Sequence, residues 1–419
     1  MSFKRNIGNT LLSKIFTAFF SLGSSVLLSR YLGREPMGDI ALVVMGVTIS
    51  LIFSGVWAGP VLTYYASRKP LKGLLIPAYI SGIFFSIVVP PILGFFSLLP
   101  QHLIYYTIFI SACQNIHGAH LSYLLGIEKV RAHNQSALLQ VIIVFSGFAV
   151  HLLSGGRSLE FYLACVAFSF LISAFISAFY IKSSVSQKSP LLATSLETAR
   201  YSASMQTATL FHFFNYRIGY YFIDSMLGTA TLGLFSLAMQ IMEGVLLLSR
   251  SIATVLFSRV SASENTREKL QKTIASFKLA MLSTLAGVLI LLLCPASLFT
   301  ALFGEEFVGL KSVFYHVSAG ILFLSGLNIL SSFFSGNYKA SVNLYTSLVG
   351  LLSVILFSWP LIRFFGLPGA GWANSIAFGS GLALAIYILV KNYPITLKDL
   401  LPHKKDAAIL NDMWRMLKK

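Results

Sequence analysis

The stretch Leu28-Ser29-Arg30-Tyr31-Leu32-Gly33-Arg34-Glu35-Pro36-Met37-Gly38-Asp39-Ile40-Ala41-Leu42 closes one apolar run and opens the next. Later the chain repeats it as Leu227-Gly228-Thr229-Ala230-Thr231-Leu232-Gly233-Leu234-Phe235-Ser236-Leu237. Both follow one pattern: Leu-Gly, four residues, Gly, two residues, a small residue, Leu. Glycine reaches backbone conformations closed to other residues, so this pattern reads as a tight turn in which one helix ends and another starts. Its recurrence after the first and the seventh apolar run predicts two halves built alike.

Working outward, the chain is 56% hydrophobic and 11% charged, with a mean hydropathy of +0.77. A soluble domain carries roughly 25% charged residues, so this chain lacks the polar residues to coat a water-facing surface. In hydrocarbon each backbone N–H and C=O must be satisfied within its own segment, and long apolar runs are then helices. Runs long enough to cross a bilayer lie near 9–31, 38–66, 74–98, 102–126, 136–154 and 160–181, then near 201–226, 231–257, 273–303, 307–335, 341–364 and 369–391. The expected fold is an all-α integral membrane protein of about twelve transmembrane helices, roughly 20 residues each. The first run follows Lys4 and Arg5 without a convincing cleavage site, and is read as a retained helix.

The net charge of +17 would point to nucleic acid in a soluble protein. Here most of the 31 Lys and Arg fall in alternate breaks between runs, whereas the other breaks hold only Arg34, Arg157 and Arg363. Short basic loops stay on the cytoplasmic side, so the charges are topology signals, both termini are cytoplasmic and no nucleic-acid partner is implied. The longest internal break, Lys182 to Arg200, divides the chain into an N-terminal six-helix lobe, 1–192, and a C-terminal six-helix lobe, 193–391. An even number of spans per half relates the lobes by a pseudo-two-fold along the membrane normal. The basic tail, 392–419, places Ile409, Leu410, Met413, Trp414 and Leu417 on one helical face. That face suits an interfacial helix on anionic lipids, with a disordered basic tail as the alternative. Cys113, Cys165 and Cys294 lie within apolar runs without ligand spacing, so neither a disulfide nor a metal centre is expected, and no cofactor.

The first run with its Arg30-Tyr31-Leu32-Gly33 ending, the two six-helix halves and the basic seventh run resemble the polysaccharide-exporter branch of the multidrug/oligosaccharidyl-lipid/polysaccharide flippase superfamily. In architecture the resemblance spans residue 1 to about 391, and within the branch it is nearest to O-antigen and capsule-repeat flippases. It implies two lobes about a cavity that opens alternately to each side, in a bacterial cytoplasmic membrane. The implied cargo is an undecaprenyl-pyrophosphate-linked oligosaccharide moved from the inner to the outer leaflet. H+ or Na+ is the implied coupling ion, and a polysaccharide polymerase a working partner. A drug or ion antiporter of the same superfamily, or a flippase of another lipid-linked precursor, is the alternative. An enzyme such as a polysaccharide polymerase is disfavoured, because the outer breaks are short and hold no Ser/His/Asp or carboxylate-metal constellation.

Six basic residues lie within runs: Lys14, Arg30, Arg217, Arg250, Lys278 and Lys311. Each costs roughly 2.5–3.5 kcal/mol at a helix centre, so each should face a wet cavity or a partner. Lys14, Arg30, Lys278 and Lys311 are near enough to run ends to snorkel instead. Arg217 and Asp224 share a helix face, as do Glu243 and Arg250. At about 1.5 Å per residue Arg217 and Glu243 reach similar depths near the midplane. One reading is an ion pair that only fixes helix packing. The other is a cationic cavity in which Arg217 and Arg250, with the remaining basic residues at graded depth, hold a pyrophosphate while Glu243 or Asp224 acts as a protonatable switch. His117 and His120 share a face with Gln114 and Asn115 nearby; without a third ligand, hydrogen bonds between helices or to sugar are expected there, not a metal. Pro90, Pro91 and Pro295 are expected to bend or kink their helices.

Overall fold

A computed structural model describes residues 3–68, 75–182, 191–337, 339 and 341–401. All its regular elements are helical among the described residues. They run α1 (Phe3–Leu32), α2 (Arg34–Ser54), α3 (Gly59–Arg68), α4 (Leu75–Phe95), α5 (Ile104–Gly126), α6 (Val130–Leu153), α7 (Leu159–Lys182) and α8 (Leu191–Leu227). Then follow α9 (Thr229–Val245), α10 (Leu247–Ala262), α11 (Thr266–Leu293), α12 (Ala296–Phe303), α13 (Leu310–Gly336), α14 (Ser341–Phe365), α15 (Leu367–Asn392) and α16 (Leu397–Leu400). Every apolar run of the sequence is occupied by helix. Among the described residues nine segments are long and apolar enough to cross a membrane, or ten with the bent pair α9–α10. The helices α5 and α8, 23 and 37 residues long, have the length but carry His, Asn and Gln on their faces. The proposed interfacial helix of the tail lies outside the described residues.

Three runs that read as single spans are broken. The second divides at Gly55–Ala58 between α2 and α3, and the ninth at Cys294–Pro295 between α11 and α12. The eighth bends by 48° between α9 and α10. Proline explains the ninth, because Pro295 has no N–H to continue the ladder and α11 ends at Leu293 with Cys294, the residue before the proline, as its cap. Pro90 and Pro91 by contrast lie inside α4.

Both repeat glycines take a conformation that excludes side chains. Gly33 has φ 88° and ψ −166°, and Gly228 has φ 85° and ψ 161°. This region is essentially open to glycine alone. The Gly33 N–H returns to Ser29 O and the Gly228 N–H to Asp224 O, closing the preceding helix in the same way each time. At the first turn a carboxylate completes the next helix: Glu306 Oε2 accepts the Arg34 N–H at 2.9 Å. A Cβ on Gly33 would stand 2.6 Å from that oxygen, whereas a Cβ on Gly228 would meet nothing within 4 Å.

The chain divides into two compact units, one of residues 1–210 with 302–306 and one of 211–301 with 307–419. In the first, small residues let helices approach closely. Gly126 of α5 lies against the Thr63 carbonyl of α3, 2.7 Å from where a Cβ would stand. Leu62, Ala66, Ala78, Ala119, Tyr123 and Leu124 form a core around that contact. In the second, Val260, Phe277, Leu330, Phe333, Phe334 and Leu389 pack together, and Ile395 and Leu400 bring α16 onto the same core. Outward the helices present large apolar groups such as Phe95, Leu153 and Leu293, more than 80% exposed in the absence of lipid. That is the arrangement of a membrane protein, whose outside is as apolar as its inside.

Candidate functional site

The site is built on α8, α9 and α10. Arg217 is ten residues before the end of α8, about 15 Å in from the outer turn. Its Nη2 lies 3.0 Å from Glu243 Oε1 near the inner end of α9. The oxygen is off the line of the N–H, making this a charge contact and not an aligned hydrogen bond. Arg250, in the first turn of α10, approaches the other carboxylate oxygen at 3.9 Å. One carboxylate thus stands between two guanidiniums, leaving one positive charge in excess. Glu243 and Arg250, seven residues apart, stand on either side of the 48° bend at Leu246.

A tyrosine fixes Arg217. Arg217 donates through Nη1 to the Tyr220 hydroxyl and stacks over the same ring, 4.9 Å from its centroid. Tyr220 is buried and packed edge-on to Phe235 of α9. Arg250 lies within electrostatic reach of Tyr216. Exposure grades across the group, from 17% for the Glu243 side chain to 27% for Arg217 and 48% for Arg250. Arg250 is the open end of the triad.

The structure brings Arg217, Glu243 and Arg250 together. The other nominated residues have separate surroundings. Asp224 accepts from the Thr229 hydroxyl at 2.8 Å and belongs to the outer turn. Lys311 donates to the Cys294 carbonyl at 3.0 Å, satisfying the last turn of α11 where Pro295 interrupts it. Lys278 is 8% exposed, and its charge reaches Asp399 of α16. Lys14 and Arg30 are exposed on α1, within the first unit.

His212 was not singled out by the sequence. It lies one turn before Tyr216 with the two rings 4.6 Å apart, and within electrostatic reach of Arg250. Its spacing of four residues puts it on the Tyr216 face of α8, about 140° round the helix from Arg217, so the charge at Arg217 did not point to it.

In the first unit the histidines of α5 join helices. His120 bonds Tyr79 of α4 at 2.5 Å and Ser177 of α7 at 2.7 Å, and His117 bonds Ser136 of α6 at 3.1 Å. Asn115 bonds Ser86 of α4 and is joined by Ser54 of α2. Among the described residues no three His, Cys, Asp or Glu gather as a metal site would require.

No family model matches the sequence, and no curated protein matches it. Solved structures do match in shape. An inward-facing multidrug resistance MATE family transporter of the MOP superfamily superposes with a TM-score of 0.71 at 15% identity, over 89% of this chain and 93% of that one. The lipid II flippase MurJ in an inward closed conformation superposes with 0.74 at 13% identity, over 93% and 88%. A MOP superfamily transporter from Pyrococcus furiosus, described as having a binding pocket of reverse polarity, gives 0.62 at 16%, over 90% and 92%. The chain shares the fold of these structures. With so little identity, the likeness carries the arrangement of helices and leaves the cargo to be argued from the side chains.

Proposed function

We propose that this protein is a flippase that carries an undecaprenyl-pyrophosphate-linked oligosaccharide, an O-antigen or capsule repeat unit, from the inner to the outer leaflet of a bacterial cytoplasmic membrane by alternating access. The observation that carries the reading is the Arg217–Glu243–Arg250 triad at mid-membrane depth, with excess positive charge and Arg250 at its open end. A pyrophosphate cannot enter hydrocarbon unpaired, and guanidiniums bind its oxygens two at a time. Glu243 holds both arginines while the site is empty. An arriving pyrophosphate competes with the carboxylate for them, and a proton or sodium ion taken up by Glu243 favours the exchange by cancelling its charge. The break before α10 adds a helix N-terminus, whose dipole favours an anion beside Arg250. A lipid II flippase among the similar structures fits a lipid-linked cargo.

The test is translocation in cells or vesicles with Arg217→Ala, Arg250→Ala and Glu243→Gln at matched protein levels. Each arginine variant is expected to lose about tenfold or more, the equivalent of one charge-assisted hydrogen bond or better. Unchanged transport in both overturns the proposal. Native mass spectrometry of the purified protein should find the lipid-linked sugar bound.

A further inference from the structure

We propose that His212 is the sugar-contacting residue of this site, the outer ring of an aromatic cluster against which the first sugar of the lipid-linked chain is laid beside the pyrophosphate clamp. The inference rests on the pyrophosphate reading of Arg217 and Arg250. Three rings from two helices form the cluster, each tilted by about 60° to the next. Phe378 of α15 packs on Tyr216 of α8 with centroids 4.9 Å apart, and Tyr216 packs on His212 at 4.6 Å. The inner two rings are 1% and 9% exposed, so they are fixed in the core, while His212 is exposed. Leu351 and Val354 of α14 and Ala377 of α15 back the same stretch of α8. The result is a rigid support that ends in one exposed imidazole.

An imidazole at this depth does not face lipid without a large cost, and the open guanidinium of Arg250 beside it makes that exposure dearer still. The two therefore face water or cargo. Arg250 suits the anion. His212 suits a sugar, because the ring face takes the C–H face of a pyranose by dispersion while its two nitrogens meet hydroxyls as donor and acceptor. The guanidinium within electrostatic reach of His212 is that of Arg250, the open end of the clamp, while Arg217 lies five residues further along α8 and about 140° round it. The direction agrees as well. His212 is on the side of Arg217 away from the outer turn, which the charge asymmetry makes the cytoplasmic side, where the sugars of an inner-leaflet lipid project.

The experiment measures binding to the full-length protein in nanodiscs with three probes of equal charge: farnesyl methyl pyrophosphate, and farnesyl pyrophosphate carrying N-acetylglucosamine or galactose. Wild type is expected to bind at least one sugar probe about tenfold more tightly than the methyl probe. His212→Ala removes that preference and leaves the methyl probe within about twofold of wild type, while His212→Phe, which keeps a ring, retains most of it. Arg250→Ala weakens all three probes together. No sugar preference in wild type, or a preference that survives His212→Ala, overturns the sugar contact and leaves the clamp standing. A His212→Ala loss that is equal for the methyl and sugar probes also overturns it. Arginine variants that bind all probes normally overturn the clamp, and wild type that binds none overturns both.

Discussion

Replacing either repeat glycine by alanine gives unequal losses that separate backbone strain from a lost cap. Gly33 and Gly228 have nearly the same conformation, φ 88° and 85°, so alanine at either place incurs the same strain, about 1–3 kcal/mol. Around Gly228 a methyl group meets nothing, and the loss ends there. At Gly33 the methyl would stand 2.6 Å from Glu306 Oε2, which must swing away and release the Arg34 N–H that it holds at 2.9 Å. An exposed carboxylate at a helix N-terminus contributes about 1 kcal/mol, so Gly33→Ala should cost about that much more than Gly228→Ala. Four proteins decide the matter in detergent denaturation: the two alanine variants, Glu306→Ala, and Gly33→Ala combined with Glu306→Ala. With the carboxylate gone, the Gly33 substitution should cost what the Gly228 substitution costs. Equal losses at the two glycines in the wild-type background, or strict additivity of Gly33→Ala with Glu306→Ala, would refute the reasoning.

Other predictions follow from single contacts. Glu243→Ala should lower thermal stability more than the double change Glu243→Ala with Arg217→Met, because the single variant strands a mostly buried guanidinium; the four melting curves of the cycle decide it. His120→Phe should cost about 1–3 kcal/mol in denaturant unfolding, since it leaves the buried Ser177 hydroxyl and the Tyr79 hydroxyl without their shared partner. Gly369→Ala should abolish accumulation of folded protein, because its methyl group would stand 2.0 Å from the Leu361 carbonyl, with backbone on both sides of the clash. The Asp399 carboxyl is held below the usual aspartate range, first by the Thr396 N–H, then by the Thr396 hydroxyl. Its cap on α16 is therefore complete above the unfolded value, about 3.9, and lost as pH falls through the lower folded one. Amide exchange across 396–400 should rise only in that acid range, and Asp399→Asn should show the rise at neutral pH.

The positions of the helices were legible because membrane burial writes them twice, as apolar length and as loop charge. Breaks were less so. The division at Pro295 has a local cause, and the bend at Leu246 has none in the adjacent sequence beyond Gly244. Glu306 capping α2 joins residues far apart in the chain, and no spacing rule reaches that far. Arg217 and Glu243 were legible as a pair because both are charges at the wrong depth, the rarest signal in such a chain. Lys278 and Lys311 gave the same signal, and the structure gives them Asp399 and the Cys294 carbonyl as neighbours. His212 carried no signal of its own, since its meaning depends on Phe378 of α15 supporting Tyr216 from behind.

The energetics of the triad argue that its geometry serves exchange and not only packing. A carboxylate optimised to stabilise two arginines would meet both at hydrogen-bonding distance, be shielded from water and pair in line with the N–H groups. Glu243 meets one at 3.0 Å off the line and the other at 3.9 Å, with Arg250 about half open. Neither contact is an aligned hydrogen bond, so the carboxylate is held by charge and not by directed N–H groups. What is held firmly is the Arg217 guanidinium, through its hydrogen bond to Tyr220 and the ring beneath it. Cations beside a replaceable anion are what the proposed pyrophosphate cargo would require, since on that reading it would displace the carboxylate on entry and be displaced by it on leaving.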